Sequence, residues 1–137
     1  MDPQNLGYAA IQIVHNFGAV SVVGAPLFAL WPARLTAAQL RPLAWLVLAA
    51  WLAQAASGIG FGAASYTFYG QFPDIHGIAI GALLIKIACA IVGAVLSLGY
   101  LVRGGGAAEA SRRRVWGALL ALGAIALTAA AFLRWFS

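Results

Sequence analysis

A lysine lies in the middle of the most apolar stretch of this chain. Lys86 stands within a stretch from Ile75 to Val102 that is long enough to cross a bilayer as a helix, since roughly 20 apolar residues at ~1.5 Å each span ~30 Å of hydrocarbon. A charge at that depth costs at least about 2.5–3.5 kcal/mol on insertion scales. We therefore expect Lys86 to face a partner, a cavity or a bound group rather than lipid.

Two other apolar stretches also carry polar side chains. Gln12 and Asn16 are four residues apart, and so lie on one side of a helix; His15 stands beside them, and Gly18, three residues further on, leaves open space on the face of His15. Gln54 lies near the middle of the next apolar stretch.

The depths of these side chains can be compared by counting residues. At ~1.5 Å per residue, His15 and Lys86 lie ~13–15 Å from one end of their helices, and Gln54 lies ~16 Å from the other end of its own. The count predicts an intramembrane layer of His15, Asn16, Gln54 and Lys86. Polar groups at such a depth indicate a functional site by default.

A purely structural role is the alternative for this layer. An imidazole and two amides can join adjacent helices by hydrogen bonds worth ~0.6 kcal/mol each on average. Lys86 fits that role less well, because no Asp or Glu occurs inside any predicted helix. A cofactor propionate, a quinone oxygen, a metal bound by the neutral amine, or backbone carbonyl groups are the partners that remain.

The second histidine stands near a predicted helix start. His76 follows Asp74, which we expect to cap the third helix, and the two side chains form either a surface pair or part of a site. In a site, His76 would be a second metal ligand beside His15 or a proton carrier, since imidazole titrates near neutral pH.

Haem b is the cofactor that best fits one buried imidazole among glycine and alanine walls, because its iron takes axial nitrogen ligands. His15 is the predicted axial ligand, with Asn16, Gln54 and Gly18 around it. The opposite axial position is open to Lys86, to His76, or to neither.

Composition identifies the class of protein. The 137-residue chain is 64% hydrophobic and 8% charged, whereas soluble domains carry about 25% charged residues. It is an integral membrane protein whose first partner is the lipid bilayer. The net charge of +5 comes from arginines at segment ends, where membrane topology and anionic lipid explain them, so nucleic-acid binding is not expected.

The apolar stretches predict an all-α, polytopic four-helix bundle that forms a single integral membrane domain over residues 1–137. The first five residues lack the basic region of a cleaved signal peptide, so the first stretch is expected to be a retained helix. Two GxxxG pairs, Gly58 with Gly62 and Gly77 with Gly81, predict close helix approach. The four helices are expected at residues 6–30, 43–64, 75–102 and 115–136, with an aromatic interfacial loop at 65–73.

Arginine placement predicts the orientation of the bundle. The connections after helices one and three hold all of the arginines except Arg134. The positive-inside rule then places both termini on the non-cytoplasmic side of a bacterial-type cytoplasmic membrane.

The first helix reads His15-Asn-Phe-Gly-Ala-Val-Ser-Val-Val-Gly24, and the third contains Leu83-Leu-Ile-Lys86-Ile-Ala-Cys. With four helices, this resembles the membrane superfamily of copper-resistance protein D and the HemJ-type protoporphyrinogen oxidases, which place a His early in one helix and a Lys in a later one. The tryptophan that those families carry before the glycine is Val22 here. The resemblance implies that His15 and Lys86 are the residues associated with haem b.

Three functions follow from these observations. The first is a haem-b-binding, quinone-linked membrane redox protein, either an electron-transfer subunit or a HemJ-like oxidase. The second is a noncatalytic subunit that packs against other membrane subunits or further copies of itself. The third, copper transport or resistance, is disfavoured because Met1 and Cys89 are the only sulfur-containing residues and membrane copper handling prefers soft sulfur ligands.

Overall fold

Four helices account for nearly all of the described chain. The computed structural model describes residues 2–31, 35–103 and 108–136, and no strand occurs within these ranges. The helices are α1 (Pro3–Leu30), α2 (Ala37–Tyr69), α3 (Ile78–Val102) and α4 (Glu109–Phe136). All four are long and apolar enough to cross a membrane. The predicted all-α membrane four-helix bundle is therefore confirmed.

Capping side chains explain where the first two helices begin. The Asp2 carboxylate accepts a hydrogen bond from the Gln4 backbone N–H at 3.0 Å, and Pro3 occupies the first turn, where its missing N–H costs nothing. Thr36 and Gln39 form a reciprocal capping box at the start of α2. The two caps start α1 at Pro3 and α2 at Ala37, before Pro42, although the sequence predicted starts at residues 6 and 43.

Three further helix limits differ from the sequence predictions. α2 continues to Tyr69 through the expected aromatic loop, because residues 65–69 contain neither glycine nor proline; the helix ends at Gly70, which adopts a φ of 71°. α4 already begins at Glu109, because alanine and arginine are strong helix formers. The N-cap of α3 is Gly77, with a φ of 56° and no side-chain cap, rather than Asp74.

The helices run alternately up and down around a square. α1 contacts α2 and α4, α3 contacts α2 and α4, and α1 and α3 lie on a diagonal without contact between their backbones. A hydrogen bond from Gln4 to the Tyr69 hydroxyl joins the start of α1 to the end of α2. Arg41 reaches the Leu101 carbonyl at 3.5 Å at the opposite end. We call the end with Gln4 and Tyr69 the terminal end, and the end with Arg41 the arginine-rich end. Arg34 lies outside the described residues.

Tryptophan side chains fill the half of the core nearer the arginine-rich end. Trp51 and Trp116 are the largest fully buried side chains, and Val22 and Leu119 pack with them. The outer surface is apolar, with Phe17 73% exposed. In a bilayer, lipid chains cover such a surface.

Close helix approaches occur at glycines other than the predicted pairs. A Cβ at Gly93 would overlap the Trp51 indole, and one at Gly123 would lie 2.7 Å from the Val22 carbonyl oxygen. By contrast, Gly58 and Gly81 have open space beside them. The GxxxG spacing therefore did not identify the contact points, because a rigid indole rather than a second glycine sets the spacing of α2 and α3.

We expect Gly93→Ala to destabilise the bundle by ~1–3 kcal/mol, the usual cost of overpacking a core, because the indole of Trp51 has no room to retreat. The midpoint of thermal unfolding in detergent micelles measures this change. Gly58→Ala is the matched control, and its midpoint should stay level or rise, because alanine favours a helix where space is open. Equal midpoints for the two variants would contradict this account of the core.

Candidate functional site

His15 is held on α1 by a hydroxyl group of α2. Its Nδ1 lies 2.8 Å from Oγ of the buried Ser57. The Ser57 hydroxyl donates its single proton to backbone carbonyls, chiefly that of Ala53 at 2.6 Å. We assign Oγ on this ground as the acceptor from His15, which places the ring proton on Nδ1 and leaves the lone pair of Nε2 free. Metal-bound histidines are commonly held in this way, with one ring N–H donating to an oxygen and the other nitrogen free for the metal.

Gln54 joins the same cluster from α2. Its side-chain N–H donates to the backbone carbonyl of His15 at 2.5 Å. The amide lies directly over Gly18, where a Cβ would overlap it and would also approach the Ala50 carbonyl. The open space predicted beside Gly18 is thus filled by Gln54, because the glycine lets α2 come close enough for the amide to reach α1.

Aromatic rings close the cluster toward the terminal end. The Phe61 ring meets the His15 ring edge to face, with centroids 5.7 Å apart at 74°. Tyr8 stacks on Phe61 at 6.4 Å. The ring of His15 is therefore bounded by Ser57 on one side and by an apolar wall on another.

Lys86 lies on α3, diagonally across the bundle from α1. It is half-buried. No carboxylate or hydrogen-bond acceptor pairs with it among residues 2–31, 35–103 and 108–136. Small buried residues flank Lys86 along α3. They are Ala79 and Ala82 toward the terminal end, and Cys89 and Gly93 toward the arginine-rich end. The buried face of α3 around Lys86 is therefore lined with small residues.

Asn16 does not join this cluster. It is exposed on α1 and accepts a hydrogen bond of 2.6 Å from the side chain of Gln12, which is also exposed. The predicted proximity of these two residues is confirmed. Their side of the helix points away from the other helices, because Asn16 is rotated by about 100° from His15 on an α-helix.

His76 lies outside the membrane-spanning helices. It precedes α3, its side chain is 75% exposed, and its Nδ1 lies 3.3 Å from the Asp74 carboxylate. Lys86, by comparison, lies eight residues inside α3, or ~12 Å along the helix at ~1.5 Å per residue. The structure therefore brings Lys86, and not His76, to the depth of the buried cluster.

No conventional metal cluster is present in the described part of the chain, where no three His, Cys, Asp or Glu side chains come together. The cluster instead offers one imidazole nitrogen with a free lone pair and one amine. This donor set suits a cofactor that brings most of its own ligands, such as a haem, and does not suit a structural metal ion, which needs about four protein ligands.

Ser57 and Phe61 are the site residues that the sequence analysis missed. A signal for Ser57 was available, because it follows Gln54 by three residues and so shares its face of α2. Serine is common in membrane helices that need no special site, so only the contact with His15 distinguishes it. Phe61 carries no chemical signal, and its role depends entirely on where α1 places the imidazole.

An apolar groove opens between α3 and α4 on the lipid-facing side. It has a volume of about 620 Å³ and is lined by residues that include Ile78, Ala82, Ile125 and Phe132. Ala82 lies one turn before Lys86 on the same face of α3. A flat, apolar molecule dissolved in the bilayer can therefore approach α3 close to the lysine.

The chain was compared with protein-family models, with curated proteins and with solved structures, and no match was found in any of the three comparisons.

We expect the nitrogen resonances of the His15 ring to report a protonated Nδ1 and an unprotonated Nε2, because the Ser57 hydroxyl is assigned as the acceptor of the Nδ1 proton. Solid-state NMR of histidine-labelled protein in lipid measures the two shifts. In Ser57→Ala the fixed tautomer should be lost, whereas the signals of His76, which is exposed and distant, should not move. A protonated Nε2 in the unaltered protein would contradict the assignment.

Proposed function

We propose that the protein is a haem-b-binding, quinone-linked redox protein of the membrane, with His15 as the axial ligand of the haem iron. The observation that carries the proposal is the hydrogen bond between His15 and Ser57, which leaves Nε2 available at mid-membrane depth. The resemblance of His15 and Lys86 to the positions of the HemJ-type superfamily supports the same assignment. Haem b supplies one-electron transfer when bound.

The residues around His15 have separable roles in this proposal. Ser57 orients the imidazole and makes it a better ligand, because its Oγ accepts the Nδ1 proton. Gln54 holds α1 against α2 at the level of the site through the His15 carbonyl. Phe61 excludes water from one side of the ring.

Lys86 supplies a positive charge that no carboxylate of the described chain neutralises. A cation near a redox group favours its reduced form, and it also attracts a propionate or a quinone oxygen. The groove between α3 and α4 gives a quinone a path from the bilayer to this part of α3. In this proposal the charge of Lys86 therefore draws a lipid-soluble electron carrier toward the haem.

The arginines support a location in a bacterial-type cytoplasmic membrane. Among the described arginines, Arg41, Arg103 and the run Arg112–Arg114 lie at the arginine-rich end of the bundle, and Arg134 alone lies toward the other end. Under the positive-inside rule the arginine-rich end is cytoplasmic and both termini are not.

A noncatalytic packing subunit is the second candidate. The observation that favours it is that His15, Ser57 and Gln54 satisfy one another across α1 and α2. Such bonds alone would account for polar residues inside the bundle. The two candidates differ in whether Nε2 of His15 has a ligand.

We expect protein purified from membranes to show the Soret and α bands of a b-type haem, because Nε2 of His15 is available to the iron. In His15→Ala these bands should be lost. His76→Ala is the matched control, and it should keep them, because His76 lies on the surface beside Asp74. A colourless, folded protein after expression with ample haem would refute the proposal and leave the packing subunit.

We expect Lys86→Met to keep the fold, since methionine matches the length of the lysine stem and removes a costly charge. If Lys86 serves the cofactor, the midpoint potential of the haem should fall, because a nearby positive charge that favours reduction is gone. Redox titration of the α band measures this shift. An unchanged potential together with unchanged quinone reduction would remove Lys86 from the site.

A further inference from the structure

A stripe of three amide side chains and one alanine runs along the lipid-facing side of α1. Asn5, Ala9, Gln12 and Asn16 are spaced by four, three and four residues, so they lie on one face of the helix. All four are exposed in the structure. We call this face the amide stripe.

The depth of the stripe places amides within hydrocarbon. Gln12 and Asn16 lie nine and thirteen residues inside α1, or ~14 and ~20 Å from its start at ~1.5 Å per residue. The hydrocarbon core is ~30 Å thick. Lipid chains therefore surround these two side chains unless another protein surface covers them.

One hydrogen bond does not satisfy this pair. Each amide has two N–H donors and a carbonyl oxygen that accepts, and the bond from Gln12 Nε2 to Asn16 Oδ1 uses one donor and part of one acceptor. The Gln12 oxygen and three N–H groups have no partner on the described part of the chain. Hydrocarbon offers none either, and an unpaired polar group in an apolar medium is costly.

Several other polar side chains of the spanning helices bond to a backbone carbonyl, although Trp51 Nε1, Trp116 Nε1 and the Tyr100 hydroxyl are buried without a partner in the described chain. Ser57, Ser97 and Thr128 each donate to a carbonyl of their own helix, and Gln54 donates to the His15 carbonyl. Gln12 and Asn16 differ, because they point outward and bond only to each other. Their remaining groups need a surface that is itself polar at the same depth.

We propose that the amide stripe is a self-association surface, on which α1 of a second copy of this chain packs in parallel about a two-fold axis along the membrane normal. Copies inserted in the same orientation present Gln12 and Asn16 at equal depth. Because an amide both donates and accepts, the stripe is complementary to itself, and it carries no charge to repel its copy. Ala9 is small enough to let the two helices approach closely. The proposal is independent of the haem assignment.

Energy transfer between donor- and acceptor-labelled copies in phosphatidylcholine vesicles tests the proposal. Wild-type protein should show transfer that declines as lipid is added, as a reversible dimer requires. The double variant Gln12→Leu, Asn16→Leu should weaken the dimer by about tenfold or more, because it removes the amide groups that would bond between the helices. Thr128→Val is the matched control, since it removes an exposed polar group whose bond is already made to Ala124, and it should leave transfer unchanged.

Cysteine crosslinking tests the geometry. Cys89 is the only cysteine and is buried, so a Cys89→Ala background gives a cysteine-free chain. Ala9→Cys in that background should form a disulfide-linked dimer in vesicles under a mild oxidant. Ile91→Cys, on the exposed side of the diagonal helix α3, should not. Circular dichroism of every variant establishes that it remains helical.

Three outcomes would overturn the proposal. The first is wild-type protein that stays monomeric in vesicles at every protein-to-lipid ratio. The second is a dimer that the double leucine variant does not weaken, or that Ile91→Cys traps as well as Ala9→Cys. The third is a monomer whose amide stripe crosslinks to a different membrane protein, because that result assigns the surface to another partner.

Discussion

The membrane interior contains no water to satisfy a polar group, and this constraint governs every polar side chain of the bundle. A buried or lipid-facing N–H, O–H or carbonyl must find its partner in protein. The cluster of His15, Ser57 and Gln54 meets the constraint between α1 and α2. Lys86, the Gln12–Asn16 pair and three buried groups, namely Trp51 Nε1, Trp116 Nε1 and the Tyr100 hydroxyl, do not meet it within the described chain. The proposed self-association starts from the Gln12–Asn16 pair.

The packing of the bundle holds the polar cluster of His15, Ser57 and Gln54 in place but takes no part in its chemistry. Near the arginine-rich end, Trp51 fills the space at Gly93, and the α1 backbone at Val22 lies against Gly123. These contacts set the separation of the helices, because neither an indole nor a backbone can yield. Toward the terminal end the inward side chains of α3 are small, with Ala79 and Ala82 buried. The bundle is therefore rigid on one side of the polar cluster and lined with small residues on the other.

The tautomer of His15 links this packing to the proposed redox role. Ser57 can orient the imidazole only because α1 and α2 are close, and Gly18 is the residue that allows the approach. A larger side chain at that position would displace Gln54 and move the ring away from its acceptor. Whether Nε2 of His15 is available therefore depends on the spacing between α1 and α2, although the imidazole belongs to α1 alone.

Composition and the length of the apolar stretches were enough to predict four membrane-spanning helices, because the thickness of hydrocarbon imposes helix length directly. The positions of His15, Gln54 and Lys86 along their helices likewise follow from counting residues. The limits of α2 depend on local signals, the Thr36–Gln39 capping box and Gly70, whereas the direction in which each polar group points was decided by tertiary structure. Asn16 was expected beside His15, yet it faces outward with Gln12, and the space expected at Gly18 holds Gln54. Counting gives the depth of a residue, but its partners depend on how the helices are rotated and how closely they pack, which only the contacts of all four helices determine.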